Sequence, residues 1–92
     1  MRLVERNWRC RLGEIDLIAE ESGTLVFAEV RMRQSGNYGG AVESVTAAKR
    51  ARLLAAARLY LAGRRDAKRR FDVFLIDGVA RHVQWIRNAF GE

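Results

Sequence analysis

Four ionisable residues lie in two neighbouring apolar runs, and residues of these types could bind a divalent cation. Glu14 and Asp16 lie in residues 13–19, and Glu29 and Arg31 lie in residues 25–31. Both runs are apolar enough to form buried strands. A buried carboxylate is costly unless it is paired or holds a metal. Asp16 and Glu29 are therefore candidate metal ligands.

The segment between the two runs predicts how they pair. Ser22-Gly23 is a hairpin signal, and a two-residue turn or a four-residue loop both place Asp16 opposite Glu29 and Glu14 opposite Arg31. Because side chains alternate along a strand, all four are expected on one face. Directly opposed Cβ atoms lie about 5 Å apart. The opposed carboxylates therefore need a nearby cation. Arg31 supplies one, and a divalent metal could supply another.

Size and composition predict one soluble domain spanning residues 1–92. The 92 residues are 49% hydrophobic, which is enough for one core. The single cysteine, Cys10, excludes an internal disulfide and suits a reducing compartment. No apolar run approaches the roughly 20 residues of a membrane helix, and charges interrupt any signal-peptide core. We expect a cytoplasmic protein with no membrane partner.

The charge balance favours nucleic acid as a partner. The net charge is +6 and the sequence pI is about 10.7. Among the 17 basic residues only Lys49 and Lys68 are lysines, and the planar fork of arginine suits phosphate. A basic chain of this size is a reasonable nucleic-acid binder. The alternatives are a solvated basic face and an arginine bias that follows from genomic base composition.

Local patterns predict five strands and one helix in the order β-β-β-α-β-β. The predicted fold class is α/β in the broad sense, with an α+β arrangement and a mixed sheet. The strands are expected at residues 3–9, 14–20, 25–31, 71–76 and 79–86. Ser44 or Thr46 caps a helix that ends near Ala62. Asp77-Gly78 predicts a type I′ turn, and the residues from Asn88 onward form a tail.

Two further features of this order concern the surroundings of the acids. Residues 34–40 carry three glycines and are expected to form a mobile loop directly after the strand of Glu29 and Arg31. A single helix covers one face of the sheet. The other face is then open, which predicts either a missing N-terminal element or a partner surface, such as that of a homodimer.

Motifs along nearly the whole chain resemble the YraN family, in the same order and spacing. They are residues 6–11, 13–19, 25–31, 43–46, Lys49, residues 70–73 and residues 85–90. The resemblance implies the restriction-endonuclease-like fold of the PD-(D/E)xK nucleases, similar to archaeal Holliday-junction resolvases. It further implies that Asp16 is the first metal-binding acid, that Glu29 is the second, and that Glu14 is an additional acid of the family.

The chain departs from the family pattern in two ways. Arg31 stands where the family usually has lysine, and arginine stays protonated, so it is a poor proton acceptor. Lys49 on the following helix is a substitute for that lysine. Family members also usually begin with a helix that carries a Gly-x-x-Gly-Glu motif, and this sequence starts after it. We expect either a shortened member or a sequence that lacks its natural start.

The leading hypothesis is a nuclease that hydrolyses phosphodiester bonds of nucleic acid, with DNA as the expected partner and Mg²⁺ or Mn²⁺ as the cofactor. Asp16, Glu29 and the Val30 carbonyl would hold the cation and leave positions for water and phosphate. Arg31 would stabilise charge in the transition state. The alternative is a catalytically inactive nucleic-acid-binding or protein-interaction module that retains the nuclease fold. The four ionisable residues would then form a cross-strand ladder of ion pairs.

Overall fold

The computed structural model describes residues 1–33, 45–64, 66–78 and 81–91. Five strands and one helix follow the predicted order along the chain. The predicted loop at residues 34–40 lies outside the described residues. The elements are β1 (Arg2–Cys10), β2 (Gly13–Glu21), β3 (Thr24–Arg33), α1 (Ala47–Tyr60), β4 (Arg69–Asp77) and β5 (His82–Phe90).

The strands form one mixed sheet in the order β1-β2-β3-β4-β5. β3 and β4 are parallel, and the other neighbouring strands are antiparallel. Parallel neighbours need a crossover connection, and α1 lies in the connection between β3 and β4. The result is an α+β fold that is compatible with a restriction-endonuclease-like core, as the resemblance implies.

The hairpin of β2 and β3 has the predicted register. Glu21 pairs with Thr24, and the ladder continues to the pair of Leu17 and Ala28. The two turn residues both have positive φ, 51° at Ser22 and 82° at Gly23. This is the backbone of a type I′ turn, which matches the twist of the flanking strands. The turn therefore sets the register of the two strands as far as the pair of Leu17 and Ala28.

The second hairpin differs from the prediction in its turn. Asp77 pairs with His82, so the expected two-residue turn at Asp77-Gly78 was wrong. The Asp-Gly pair is a local signal for a tight turn. The register of β5 is instead set by long-range pairs, such as that of Phe74 with Trp85, whose rings stack with centroids 5.6 Å apart.

The predicted tail is also part of a strand, because β5 continues through Asn88 to Phe90. Phe90 pairs with Phe71 on β4, and their rings stack with centroids 5.5 Å apart. A register shift separates this pair from the rest of the ladder. The Phe90 ring is partly buried by this contact with Phe71, and this long-range packing favours the extension of the strand.

The hydrophobic core lies between α1 and one face of the sheet. Phe27 and Phe71 stack in it with centroids 5.7 Å apart, and the Phe27 ring also meets Tyr60 edge-on. The buried members of this core are Ile15, Ile18, Phe27, Leu53, Ala56, Ala57, Leu61 and Phe71. Such side chains contribute most of the stability because each removes a large apolar area from water.

The sheet face away from α1 carries exposed apolar side chains. Ile76 of β4 pairs with Met32 on β3 and with Val83 on β5. The Met32 and Val83 residues are 65% and 56% exposed. Trp85 lies one row further along the same face and is 36% exposed. The homodimer that was expected from an open face stays a prediction. Among the described residues, no helix has the length and apolar character needed to cross a membrane.

Candidate functional site

Asp16 lies where the regular pairing of β2 and β3 ends. Leu17 and Ala28 form the last pair of this ladder. The next contact is a backbone-to-side-chain hydrogen bond, in which the Val30 N–H donates to Asp16 Oδ2 at 2.9 Å. The carboxylate thus accepts from a donor that a continuous ladder would direct at a main-chain carbonyl. This hydrogen bond holds Asp16 beside Val30 of β3, which directly follows Glu29.

The backbone around Asp16 departs from strict alternation. Ile15 and Ile18 are both fully buried in the same core, whereas unbroken alternation would place them on opposite faces. Asn7, the β1 residue opposite Asp16, has a φ of 52°. The prediction that the four ionisable residues share one face of the sheet assumed that side chains alternate without interruption along β2. The irregular backbone, rather than the alternation alone, decides how these side chains are directed.

Glu29 is the most enclosed carboxylate of the site, with its side chain 13% exposed. Lys49 Nζ lies 3.5 Å from Glu29 Oε1, and Arg31 Nη1 lies 3.8 Å from the same oxygen. Burial raises the pKa of Glu29 above its ordinary value, and the negative charge of Asp16 raises this pKa further. Lys49 and Arg31 lower the pKa of Glu29 but do not cancel the increase. Extra positive charge would therefore be favourable here.

The start of α1 positions Lys49. The Thr46 side chain caps the helix by accepting from the Lys49 backbone N–H at 3.2 Å. The first turn contains no acidic residue. A cation at this end of a helix opposes the helix dipole. The nearby Glu29 carboxylate offsets that cost, so the helix start and the strand are joined by an ion pair.

A cavity of about 250 Å³ joins these groups. A water molecule in the liquid takes about 30 Å³, so the cavity has room for several waters or for a hydrated cation beside a phosphate group. Its lining contains three acids and two bases. The lining residues are Gly13, Glu14, Asp16, Glu29, Lys49, Arg52 and Leu53.

α1 passes close to Gly13 of β2 at the edge of this cavity. A Cβ on Gly13 would lie 3.5 Å from Arg52 Cβ and 3.6 Å from the Arg52 carbonyl oxygen. These are ordinary van der Waals distances, but the φ of Gly13 is 154°. L-residues rarely adopt this conformation. The glycine is therefore required by its backbone, and the contact fixes the position of Arg52.

Glu14 lies at the exposed rim of the cavity. Its carboxylate forms an ion pair with Arg9, its cross-strand neighbour on β1. The Glu14 side chain is 37% exposed, compared with 13% for Glu29. Solvent and Arg9 both compensate its charge, so Glu14 has a weaker electrostatic demand for a bound cation than Glu29 has.

The residues that could hold a metal are Asp16 and Glu29 with a main-chain oxygen. Among the described residues, no group of three or more histidine, cysteine, aspartate or glutamate side chains is arranged to hold a metal ion. A Mg²⁺ site needs only one or two carboxylates, since it keeps several waters and binds substrate phosphates. Two carboxylates in a cavity therefore suit Mg²⁺ or Mn²⁺ better than Zn²⁺.

The sequence pattern of the uncharacterised protein family UPF0102 matches residues 1–76. The chain belongs to this family. UPF0102 is the YraN family, so the resemblance found in the sequence is confirmed.

Several bacterial UPF0102 proteins are similar to nearly the whole of this chain. One from Nitrosomonas europaea is 55% identical over 94 residues, covering 100% of this chain and 80% of the relative. One from Nitrosomonas eutropha is 52% identical, covering 100% of this chain and 79% of the relative. One from Dechloromonas aromatica is 51% identical, covering 98% of this chain and 73% of the relative.

In this UPF0102 chain the predicted site residues lie close together. Glu14, Asp16, Glu29 and Lys49 line the cavity, and Arg31 lies beside Glu29. Two further features were not predicted, namely Arg52 in the lining and the contact of Arg52 with Gly13. A signal for Arg52 was present in the sequence. It lies three residues after Lys49, which places both on one side of the helix.

Asp72 is a second buried carboxylate, but it lies outside the cavity lining. It is completely buried and accepts hydrogen bonds from Arg70 Nε at 3.1 Å and from Trp85 Nε1 at 2.7 Å. The Asn88 backbone N–H donates at 2.9 Å to Asp72 Oδ1, the oxygen that also accepts from Arg70 Nε. These bonds satisfy the carboxylate and join β4 to β5. Asp72 therefore has a structural role.

Proposed function

We propose that this UPF0102 protein is a metal-dependent nuclease that hydrolyses phosphodiester bonds of nucleic acid, with DNA as the substrate. The supporting observation is that Asp16 and Glu29 share one cavity with Lys49 and Arg52. Carboxylates attract a divalent cation, and bases attract the phosphates of a nucleic-acid strand. The basic character of the whole chain, with a net charge of +6, also favours an anionic polymer.

The donor set fits Mg²⁺ or Mn²⁺. Asp16 and Glu29 would hold the cation together with the Val30 carbonyl. The hydrogen bond from the Val30 N–H uses only part of the acceptor capacity of Asp16. Burial and, after it, the negative charge of Asp16 raise the pKa of Glu29, and a bound cation would offset both effects. When bound, the cation would lower the pKa of a bound water and neutralise charge on the phosphate.

The basic residues would act on the phosphate. Arg31 lies 3.8 Å from Glu29, and its guanidinium would stabilise negative charge that develops during the reaction. Lys49 would replace the lysine that the family usually has at position 31, from a different element but beside the same carboxylate. Glu14 would act from the rim as an additional acid.

A calorimetric titration tests the metal site. Mn²⁺ and Mg²⁺ should bind the wild-type protein, and Asp16→Asn or Glu29→Gln should weaken binding by about tenfold or more, because each removes a ligand. Glu20→Gln is the matched control, since Glu20 lies on β2 with Asp16 and forms an ion pair with Arg2 outside the cavity lining. Equal binding by all four proteins would contradict the proposed site.

A cleavage assay tests the chemistry. Branched, single-stranded and duplex DNA are incubated with the protein in Mg²⁺ and in Mn²⁺. The wild type and Glu20→Gln should cleave at least one of these substrates, and Asp16→Asn should cleave none. Cleavage that persists in Asp16→Asn would come from another site or from a contaminant, and it would contradict the role assigned to this carboxylate.

A second candidate function is a nucleic-acid-binding module without catalysis. Lys49 and Arg31 both lie within ion-pair distance of Glu29, at 3.5 Å and 3.8 Å, so they partly neutralise it without a metal. Arg31 also cannot accept a proton as a lysine can. DNA binding without cleavage in either metal would favour this candidate over the nuclease.

A further inference from the structure

Two basic residues on one side of α1 form the wall of the cavity that faces the carboxylates. Lys49 and Arg52 are three residues apart in the helix, so their side chains are neighbours, and both line the cavity. The other wall carries Asp16 and Glu29. The cavity is therefore divided between an acidic strand wall and a basic helix wall.

The two bases differ in what compensates their charges. Lys49 Nζ lies 3.5 Å from Glu29 Oε1. Within the part of the chain that the structure describes, Arg52 has no carboxylate within ion-pair distance. Its side chain is exposed. A guanidinium that borders a cavity and lacks a counter-ion is available for an anionic ligand.

The position of Arg52 is fixed, although the end of its side chain is exposed. The Arg52 Cβ and carbonyl lie close to Gly13. A Cβ added to Gly13 would be in van der Waals contact with both. Anchoring the backbone on β2 reduces the freedom that a binding side chain must lose, which favours affinity. The close approach of helix and strand thus places a guanidinium at a defined edge of the cavity.

We propose that Arg52 is a substrate-binding residue of this cavity and that its guanidinium contacts a backbone phosphate next to the phosphodiester bond held at Asp16 and Glu29. This rests on the proposed nuclease function. The acidic wall repels phosphates, so a strand that enters needs positive charge on the facing wall. Arginine suits this task because its planar fork can donate two parallel hydrogen bonds to phosphate oxygens.

Arg58 provides a matched control on the same helix. It is exposed and lies six residues after Arg52, which is about 9 Å along the helix axis. It does not line the cavity. Arg52→Ala and Arg58→Ala therefore remove the same charge from the same helix. Arg52→Ala retains the Cβ that faces Gly13, so the packing of α1 on β2 is preserved.

The test is DNA binding without hydrolysis. Fluorescence anisotropy with a labelled short duplex and a labelled single strand in EDTA gives the affinity of each variant between about 50 and 200 mM salt. Arg52→Ala should weaken binding and reduce the log–log salt slope by about one. Arg52→Lys should restore most of the slope, and Arg58→Ala should leave it unchanged. Thermal melting confirms that the variants are folded.

The outcomes separate this proposal from the nuclease proposal. An unchanged slope in Arg52→Ala, an equal loss in Arg58→Ala, or no binding of either DNA by the wild type overturns the role of Arg52. If the Arg52→Ala slope falls but the wild type neither binds Mn²⁺ nor cleaves DNA, the phosphate contact stands and the nuclease proposal fails. If the wild type cleaves and the slope is unchanged, only the role of Arg52 fails.

Discussion

The backbone N–H of Val30 donates a hydrogen bond of 2.9 Å to the carboxylate of Asp16. This bond ties β2 to β3 just beyond their last regular pair. Because Glu29 directly precedes Val30, the bond also holds Asp16 beside the part of β3 that carries Glu29. A structural hydrogen bond and a candidate metal ligand therefore share one side chain.

This double role predicts different effects for two substitutions of Asp16. Asparagine keeps an acceptor for the Val30 N–H, whereas alanine leaves that partly buried donor without its partner. We expect Asp16→Ala to be about 1 kcal/mol less stable than Asp16→Asn in urea unfolding, and both to lose Mn²⁺ binding. Equal stability of the two variants would show that the hydrogen bond contributes nothing.

The raised pKa of Glu29 predicts how the stability of the metal-free protein depends on pH. A carboxyl that is more easily protonated in the folded state stabilises the protein fully below its unfolded pKa, near 4.5. That contribution is lost as the pH rises through the higher folded pKa. Glu29→Gln has no carboxyl at this position, so its stability does not decrease for this reason as the pH rises. The stability of Glu29→Gln relative to wild type should therefore increase with pH across this window and level off above it.

Thermal unfolding in EDTA between about pH 4 and pH 8 measures this difference. Glu20→Gln serves as the control, because Glu20 is exposed to solvent and lies outside the cavity lining. A stability difference between Glu29→Gln and wild type that is constant or decreases with pH would contradict a raised pKa. Added Mn²⁺ should stabilise the wild type and leave Glu29→Gln nearly unchanged.

The neighbours of Glu29 should shift its pKa in opposite directions. The positive charge of Lys49 lowers the pKa of Glu29 and the negative charge of Asp16 raises it. We therefore expect Lys49→Met to raise the pKa of Glu29 and Asp16→Asn to lower it. A carboxyl-carbon NMR titration measures both shifts. Shifts of the same sign in the two variants would mean that their charges do not act on Glu29 directly.

Asp72 should behave as a structural carboxylate. It is completely buried and accepts from Arg70, Trp85 and the Asn88 backbone. Asp72→Ala should cost about 3 kcal/mol of stability, since it leaves buried donors without an acceptor. Asp72→Asn should cost less. Under conditions in which Asp72→Asn is folded, its Mn²⁺ affinity should equal that of the wild type, and a loss of affinity would connect Asp72 to the site.

Local sequence signals were sufficient for the part of the site that depends on the first hairpin. Ser22-Gly23 forms the turn that sets the register of β2 and β3, and this register brings Asp16 and Glu29 to neighbouring positions. Thr46 likewise caps the helix that carries Lys49. Turn and cap signals depend on residues only a few positions apart, so they can be recognised in a single amino-acid sequence.

Long-range packing decided the features that the sequence did not predict. The change of face between Ile15 and Ile18 depends on how β1 and α1 pack against β2. The spacing from Lys49 places Arg52 on one side of the helix, but the approach of that side to the cavity edge depends on Gly13, 39 positions away in the chain. The extension of β5 to Phe90 depends on Phe71. No local period or turn signal encodes such contacts.

The most direct test of a metal site at Asp16 and Glu29 is anomalous diffraction from a crystal soaked in Mn²⁺. We predict one strong anomalous peak within about 2.0–2.3 Å of carboxylate oxygens of both residues, a separation typical of hard cations with oxygen ligands. The peak should be absent from Asp16→Asn crystals soaked in the same way. The absence of a peak from the wild-type cavity, or an undiminished peak in Asp16→Asn, would contradict the proposed metal centre.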